Sequence, residues 1–507
     1  MTTSVILING MAAASNGTLD PRTPVIVGVG QVNHPGDEAP EPVELLADAA
    51  RLAVEDTGAG RRLLHSLDSV RVVSILSWRY RDPGTAIAER LGRADCHTAY
   101  STSGGNSPQM LVDRAARDIQ MGAAETVLVG GAESWRTRMA YRARAERPSW
   151  TRQGDAVPAA ETAGTELRMV GPAEERVGLL HPIQVYPLFE NALRAASGRT
   201  AQTHRDHIAA LWSRFSDVAA GNPYAAVRRA HSPEEIATPS SANRMVGLPY
   251  PKLMNANNAV NQAAAVLLTS LERARAARVP TDRLVFLHAA AEADDVVELA
   301  ERLDLTSSPA IRLAGRAALD LAGLDIEEVD HVDLYSCFPS AVQVAAAELG
   351  LRVDRPLTVT GGLTFAGGPW NNYVTHAIAA MVTLLRSQPG SVGLCTANGG
   401  LLTKHAIGIY STRPPRQRFG VAVCQADVDR LPRRVPAGEV CGDAVVESFT
   451  VMHDRLGRPE RGFVAALTRD GRRAFASSDD GGVLTAMVGE DVCGRTVRLE
   501  PDHRFTA

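Results

Sequence analysis

"SGGNSPQMLVDRAARDIQMGAAETVLVGGAE" (residues 103–133) and "AGGPWNNYVTHAIAAMVTLLRSQPGSVGLCTANGG" (residues 366–400) share one plan. Each opens on Gly-Gly with asparagine close behind, runs through a long stretch of helical period and ends in a short apolar run capped by Gly-Gly. The first is entered through "AYST" (99–102), so residues 99–108 crowd hydroxyls, two glycines and an asparagine together. Such a turn can cradle a phosphate, present a nucleophile or reverse the chain before a helix.

The repeat extends outward from these stretches. From Pro24, "TPVIVGVGQ" reads as a strand, "VELLADAARLAVEDTG" as a helix ending on Gly58, "LDSVRVVSI" as a strand and "GTAIAERLG" as a short helix. Residues 307–338, "SSPAIRLAGRAALDLAGLDIEEVDHVDLYSCF", give the same helix–glycine–strand order, and "AVQVAAAELG" then mirrors "GTAIAERLG". An internal duplication is the economical reading, and the alternation of short β-branched runs with helices is that of an α/β fold.

Two segments lie outside the repeat. Residues 133–245 begin arginine-rich and turn helical, as a lobe inserted into the first half would. "STRPPRQR" (411–418) reads as a linker. Beyond it "AVVESFTVMHD", "GFVAALT", "RRAFASS" and "VLTAMVG", separated by turn residues, predict a small all-β barrel. The expected layout is an N-terminal extension (1–21), a first half (22–275) carrying the insert (133–245), a second half (276–413) and a terminal β domain (414–507).

Composition bounds the function. The 507 residues carry 45% hydrophobic and 22% charged side chains and a net charge of −4, which fits a globular protein of several domains and gives no reason to expect nucleic acid as a partner. No apolar run approaches the roughly 20 residues that span a bilayer, and "MTTSVILINGMAAAS" lacks the basic start of a signal peptide. Six cysteines without C-x-x-C spacing argue against a disulfide framework or zinc site and suit a reducing cytoplasm. "VGVGQ" offers only G-x-G, so the dinucleotide-binding fingerprint fails.

The duplicated α/β half, the insert between halves and the Gly-rich loops before long buried helices resemble the thiolase superfamily over most of residues 22–413. "LMNANNAVNQAAAVLLTS" (253–270) is similar to the run that leads to the last helix of that family's first half. The closest branch holds the sterol-carrier-protein-linked thiolases and thiolase-like proteins with an added C-terminal domain, commonly called acetyl-CoA acetyltransferases. The resemblance implies two layered α/β halves with a helical insert lobe and acyl-transfer or carbon–carbon bond chemistry on a CoA thioester. It implies no permanently bound cofactor and no metal. A dimer is the family default, and a monomer stays open.

The catalytic positions depart from the family pattern while their frames persist. Ser101, in "STSG", stands where the nucleophilic cysteine of C-x-S-G belongs. Gly368, in "GGPW", replaces the activating histidine of G-H-P, and His376 lies eight residues on, about 12 Å along a helix. Ala397, in "ANGG", replaces the acid/base cysteine, with Cys395 two residues earlier on the strand. "YSCF" (Tyr335, Ser336, Cys337, Phe338) replaces the element that holds an oxyanion-binding water.

What remains is a set of neutral hydrogen-bonding groups, which suits a thioester carbonyl or an enolate when two donors converge on its oxygen. Candidate ligand contacts are Asn106, Asn371, Asn372, Tyr373 and Asn398. Three readings follow. Ser101 could carry an acyl group with His405 as base, an arrangement a serine needs. Tyr335 could act as base in a retro-aldol lyase on a 3-hydroxyacyl-CoA, given a lowered pKa. Alternatively the protein binds acyl-CoA without turnover. In each, arginines 136, 138, 142, 144, 147 and 152 are candidate contacts for the CoA phosphates.

Overall fold

The computed structural model describes residues 19–166, 168–438 and 441–506. The sequence readings on residues 1–18, including most of the expected N-terminal extension, lie outside the described residues.

The duplication is visible in the strand order. In the first half, strands Pro24–Asn33, Asn261–Ser270, Thr126–Ser134, Leu67–Val72 and His97–Ser101 lie side by side in that order. The first two junctions are antiparallel and the next two parallel. The second half repeats this with Val285–Asp294, Lys404–Ser411, Val392–Gly399 and His331–Asp333, in the same order and senses. The halves join through their first strands, where Val25 faces Phe286 and Ile26 faces Val285. Two long helices, Ser107–Met121 and its counterpart Tyr373–Ser387, pack against strands of both halves. Each is therefore sandwiched, and each brings its N-terminal Gly-Gly turn to the middle of the molecule.

Burial on both faces explains the composition of the strands. All of Asn261–Ser270 is buried, and its Ala-Ala-Ala-Val-Leu-Leu run has no alternation because neither face meets water. The helix Ser107–Met121 stops at Gly122, whose φ of +74° lets the Ala123 N–H return to the Asp118 carbonyl.

The glycines of "VGVGQ" have a packing role. A Cβ on Gly30 would lie 2.0 Å from the Ala49 carbonyl oxygen, and one on Gly28 the same distance from that of Ala53. Helix Pro42–Asp56 thus rests directly on strand backbone. Gly30→Ala is expected to cost about 1–3 kcal/mol or more through overpacking. A urea denaturation midpoint unchanged from wild type would refute this close approach.

The terminal domain needs one correction. "VLTAMVG" is not a strand but part of helix Gly481–Gly489. The Asp480 side chain accepts from the Gly482 and Val483 N–H groups and so nucleates the helix. Leu484 and Met487, one turn apart, cover Gly462. The cap and the three-residue spacing override the local β-branched character. The domain is thus a strongly curved sheet with a helix, not all-β. Its strands run Arg473–Ser478, Pro459–Thr468, Gly442–His453, Thr496–Leu499 and Phe505–Thr506, and the two ends approach at a bridge between Ser477 and Arg504.

This domain is stitched to the insert. Insert strand Met245–Gly247 pairs with its long strand at Met452, and Arg194 forms two 2.6 Å bonds with Asp491. Beyond the linker, Gly420–Val423 still pairs with Val285–Asp294, so the main sheet continues past residue 413. At the other end, insert strand Glu161–Ala163 pairs with His97–Ser101 and covers the outer edge of the first half.

Candidate functional site

The two Gly-Gly turns meet. Asn371 Oδ1 accepts the Gly104 N–H at 3.0 Å, and its Nδ2 donates to the Ser74 carbonyl at 3.0 Å. Asn371 is therefore the tie between the equivalent loops. Ser101 ends its strand beside them, 5% exposed, accepting the Ser74 N–H and donating to the Thr102 carbonyl, both at 2.9 Å. Its hydroxyl proton is committed to backbone, and no base lies among its partners. It shapes the turn.

The contact at the helix start is made by Tyr335 instead. A Cβ on Gly105 would lie 2.4 Å from the Tyr335 hydroxyl and 2.4 Å from the Asn398 carbonyl oxygen. The phenol thus fills the space a side chain at that position would take. Asn106 closes the same spot, its Oδ1 lying where side chains on Gly104 or Gly399 would project. Asn106 Oδ1 and Asn398 Oδ1 are both buried without partners, although Asn398 Nδ2 donates to the Tyr186 hydroxyl at 3.0 Å. One unsatisfied acceptor, Asn106 Oδ1, the Asn398 carbonyl, one phenol and a helix N-terminus converge here.

Burial, reinforced by the Cys337 thiol, pushes the Tyr335 phenol up from its ordinary value. This is the opposite of what a base requires. Tyr335 holds its proton and is a hydrogen-bond donor.

The other candidates are placed elsewhere. Asn372 donates to the Gly131 carbonyl at 2.6 Å and accepts from Thr375 at 2.7 Å, so it is structural. The Tyr373 hydroxyl is spent on Asp333 and Thr360, at 2.9 and 2.6 Å, although its ring meets the edge of Tyr335. At Gly368 a Cβ would approach Asn258 Oδ1 to 2.9 Å and the Ala256 Cβ to 3.5 Å, so segment 256–258 occupies the room a histidine would need. Ala397 is 1% exposed and faces Ala406 across the sheet. His376 holds Gln31 at 2.8 Å, and burial pushes it down to about 3.

His405 does not reach Ser101's surroundings. It sits 3.4 Å from Ser308 Oγ and 3.7 Å from Asp295, under the start of helix Pro309–Ala322, and burial lowers it to about 4. The residue that reaches the turn is its neighbour Lys404. Its Nζ donates to the Ser103 and Thr165 carbonyls at 3.1 and 2.7 Å, and its stem lies against Gly104. Adjacent strand residues face opposite sides, so a one-position choice decided this. Lys404 is 6% exposed, and burial lowers its pKa. Sequence reasoning missed Lys404 and Tyr186; alternation along "TKHAIGIYS" could have flagged the first.

The insert arginines form a surface cluster. Arg136 pairs with Asp37, Arg144 pairs with Glu146 and covers Tyr141, and Arg138 and Arg152 stand over Trp78. Among the described residues, no helix is long and apolar enough to cross a membrane.

Comparison with known proteins agrees with this architecture. Residues 424–504 match the thiolase-like protein type 1 additional C-terminal domain. The crystal structure of a monomeric SCP2-thiolase like protein type 1 from Mycobacterium smegmatis superposes with a TM-score of 0.82 at 32% identity, over 96% of this chain and 100% of that one. An Ltp2-ChsH2(DUF35) aldolase shares the fold, with a TM-score of 0.59 at 20% identity over 78% of this chain and 99% of that one. An acetyl-CoA acetyltransferase from Methanothermobacter thermautotrophicus is 26% identical over 233 residues, 41% of this chain. That match spans 59% of the relative's length.

Proposed function

Because the chain belongs to the SCP2-thiolase-like type 1 family of the thiolase superfamily, we propose that it takes a CoA thioester without forming an acyl-enzyme. The thioester carbonyl would lie toward the Tyr335 hydroxyl and the start of helix Ser107–Met121. The observation that carries this is the placement of the Tyr335 hydroxyl on Gly105, which puts a phenol rather than a nucleophile at the start of that helix. Ser101, the remaining nucleophile candidate, spends its hydroxyl proton on backbone.

A lyase reading has support of its own. A phenol that keeps its proton suits an enolate oxygen, which forms when the C2–C3 bond of a 3-hydroxyacyl-CoA breaks and its electron pair moves to the thioester. The unpartnered Asn106 oxygen offers an acceptor that orients the substrate hydroxyl; the hydroxyl proton leaves to solvent as the C3 carbonyl forms, and C2 takes one up from solvent to give the shortened acyl-CoA. Tyr335 then acts as donor, not as the base expected from sequence.

Mass spectrometry after incubation with acetyl-CoA and 3-hydroxybutyryl-CoA tests both readings. Intact thioester held under native conditions, with no adduct after denaturation, is expected. Shortened CoA product would select the lyase. A covalent acyl group on Ser101 would sink the proposal. Tyr335→Phe is expected to weaken thioester binding about threefold to tenfold, the worth of one hydrogen bond, with Ser101→Ala unchanged; the reverse pattern would return the role to Ser101.

The likeness to a monomeric SCP2-thiolase like protein type 1 supports a monomer. Light scattering on the purified protein should give the single-chain mass. The six unpaired thiols support a reducing, cytoplasmic setting.

A further inference from the structure

Four of the chain's five tryptophans lie in one file that begins at the candidate site. Trp370, which precedes the loop tie Asn371, meets Trp135 edge-on with ring centroids 4.7 Å apart. Trp135 opens helix Trp135–Ala143, and Arg138, one turn along it, stands 5.7 Å over the ring of Trp78. Trp78 meets the edge of Trp150 at 5.3 Å, and Arg152 stands over the same ring at 6.0 Å. All four indoles are only half-buried. Beside them in the chain, Met139 and Leu76 are 41% and 42% exposed.

The segments that carry this file also carry unpaired positive charge. Arg79, Arg138, Arg142, Arg147 and Arg152 have no ion-pair partner among the described residues. The neighbouring carboxylates are largely spent: Asp37 on Arg136, Glu146 on Arg144, Asp155 on Arg81 and Glu41 on Arg90. Three more belong to the region, exposed Glu38 and buried Asp82 and Glu133, and the five arginines outnumber them. The whole chain stands at −4, so this excess is local. The unpaired arginines are spread over a loop, a helix and a second loop with the indoles between them, which matches a plane of anionic headgroups. Indoles and guanidiniums interleaved with exposed apolar side chains suit the boundary of water and lipid. There the ring sits at headgroup level and the guanidinium meets phosphate.

We propose that this face binds the surface of an anionic membrane. The arginines meet lipid phosphates, while Trp78, Trp150, Met139 and Leu76 enter the headgroup layer. Attachment of this kind is peripheral and released by salt. The rest of the chain is net negative and is turned away by the same surface, which orients the molecule on it. The contact between Trp135 and Trp370 ties the candidate site to the bound face.

Co-sedimentation of the full chain with vesicles tests this, comparing phosphatidylcholine alone with phosphatidylcholine containing about one third phosphatidylglycerol. The mixed vesicles are expected to bind about tenfold tighter or more, and about 0.5 M salt should release the protein. Tryptophan emission should move to shorter wavelength on the mixed vesicles, and less so in Trp150→Phe. Arg142→Gln combined with Arg147→Gln removes two exposed charges and should weaken binding about tenfold or more, with the melting temperature unchanged. Free CoA at constant ionic strength and poly-glutamate serve as competing anions. The proposal is overturned by no binding to the mixed vesicles, by equal binding to neutral ones, by wild-type binding in the double variant or by emission that does not shift. Release from the vesicles by CoA would assign the arginines to CoA phosphates instead. Poly-glutamate binding with the same emission shift and the same loss in the double variant would assign the face to an acidic protein.

Discussion

Arg473→Ala is expected to lower stability by about 3–5 kcal/mol, the cost of breaking a buried ion pair from one side. Arg473 is fully buried, and its guanidinium makes a two-point contact with Glu447 at 2.6 and 2.7 Å. The same group donates to the carbonyls of Leu299, at 2.7 Å, and of Arg302. Removing it takes the partner from one carboxylate and from the Arg302 carbonyl, while the Leu299 carbonyl keeps the Arg302 N–H. The damage should also travel. The segment it holds carries Arg302, whose guanidinium donates to the Leu401 carbonyl at 2.8 Å, and Leu401 follows the "NGG" turn of the candidate site. Hydrogen exchange in the variant should therefore accelerate over residues 398–405 as well as in the terminal domain. Arg473→Lys should recover only part of the loss, because an ammonium cannot reproduce the two-point contact. A urea-derived loss below about 1 kcal/mol, the range of an exposed pair, would show that the terminal domain is not anchored through this residue.

Acid should destabilise the protein through two histidines that burial keeps neutral. His405 is lowered from 6.5 to about 4 and His376 from 6.5 to about 3. A base with a depressed folded pKa stabilises the fold above its unfolded value, and that contribution is lost as pH falls through the folded one. The window is therefore pH 6.5 to about 4 for His405, worth about 3 kcal/mol, and pH 6.5 to about 3 for His376, worth about 5 kcal/mol. Buried Glu133 and Glu292 act in the opposite sense. Burial raises them from 4.5 to about 7 and about 6, so their contribution is present below pH 4.5 and lost as pH rises through those values. The histidine contribution is isolated by comparing variant with wild type. His405→Gln should narrow the stability difference between pH 7 and pH 4 by about 3 kcal/mol. Parallel pH profiles for the two proteins would mean that His405 is already charged in the fold.

Much of the architecture was legible because the chain states it twice. Gly-Gly turns, buried helices and glycine-capped strands recur in register, and the strand order repeats accordingly. The terminal segment was legible as a separate unit, but "VLTAMVG" was not, since its side chains suit a strand and the deciding signal was one aspartate before it. At the site, the expectation that the family's cysteines and histidine are replaced came from the motifs, whereas the inventory of replacements was only half readable. Asn106, Asn398 and Tyr335 converge, while Asn372 and Tyr373 hold the fold, and asparagine beside glycine looks the same in either role.

The local sequence determined which segments are strands and which are helices and where helices stop, because those depend on neighbours a few positions apart. Only the tertiary structure decided what stands at the start of the helix Ser107–Met121. Tyr335 meets Gly105 across 230 residues, and Lys404 rather than His405 faces the turn, because a strand's alternation shows which residues share a face but not which face looks inward. The same holds for the Tyr335 proton, the room lost at Gly368 and the unpartnered His204 Nδ1 and Arg205 Nε, since desolvation and exclusion arise only once distant segments have closed around them.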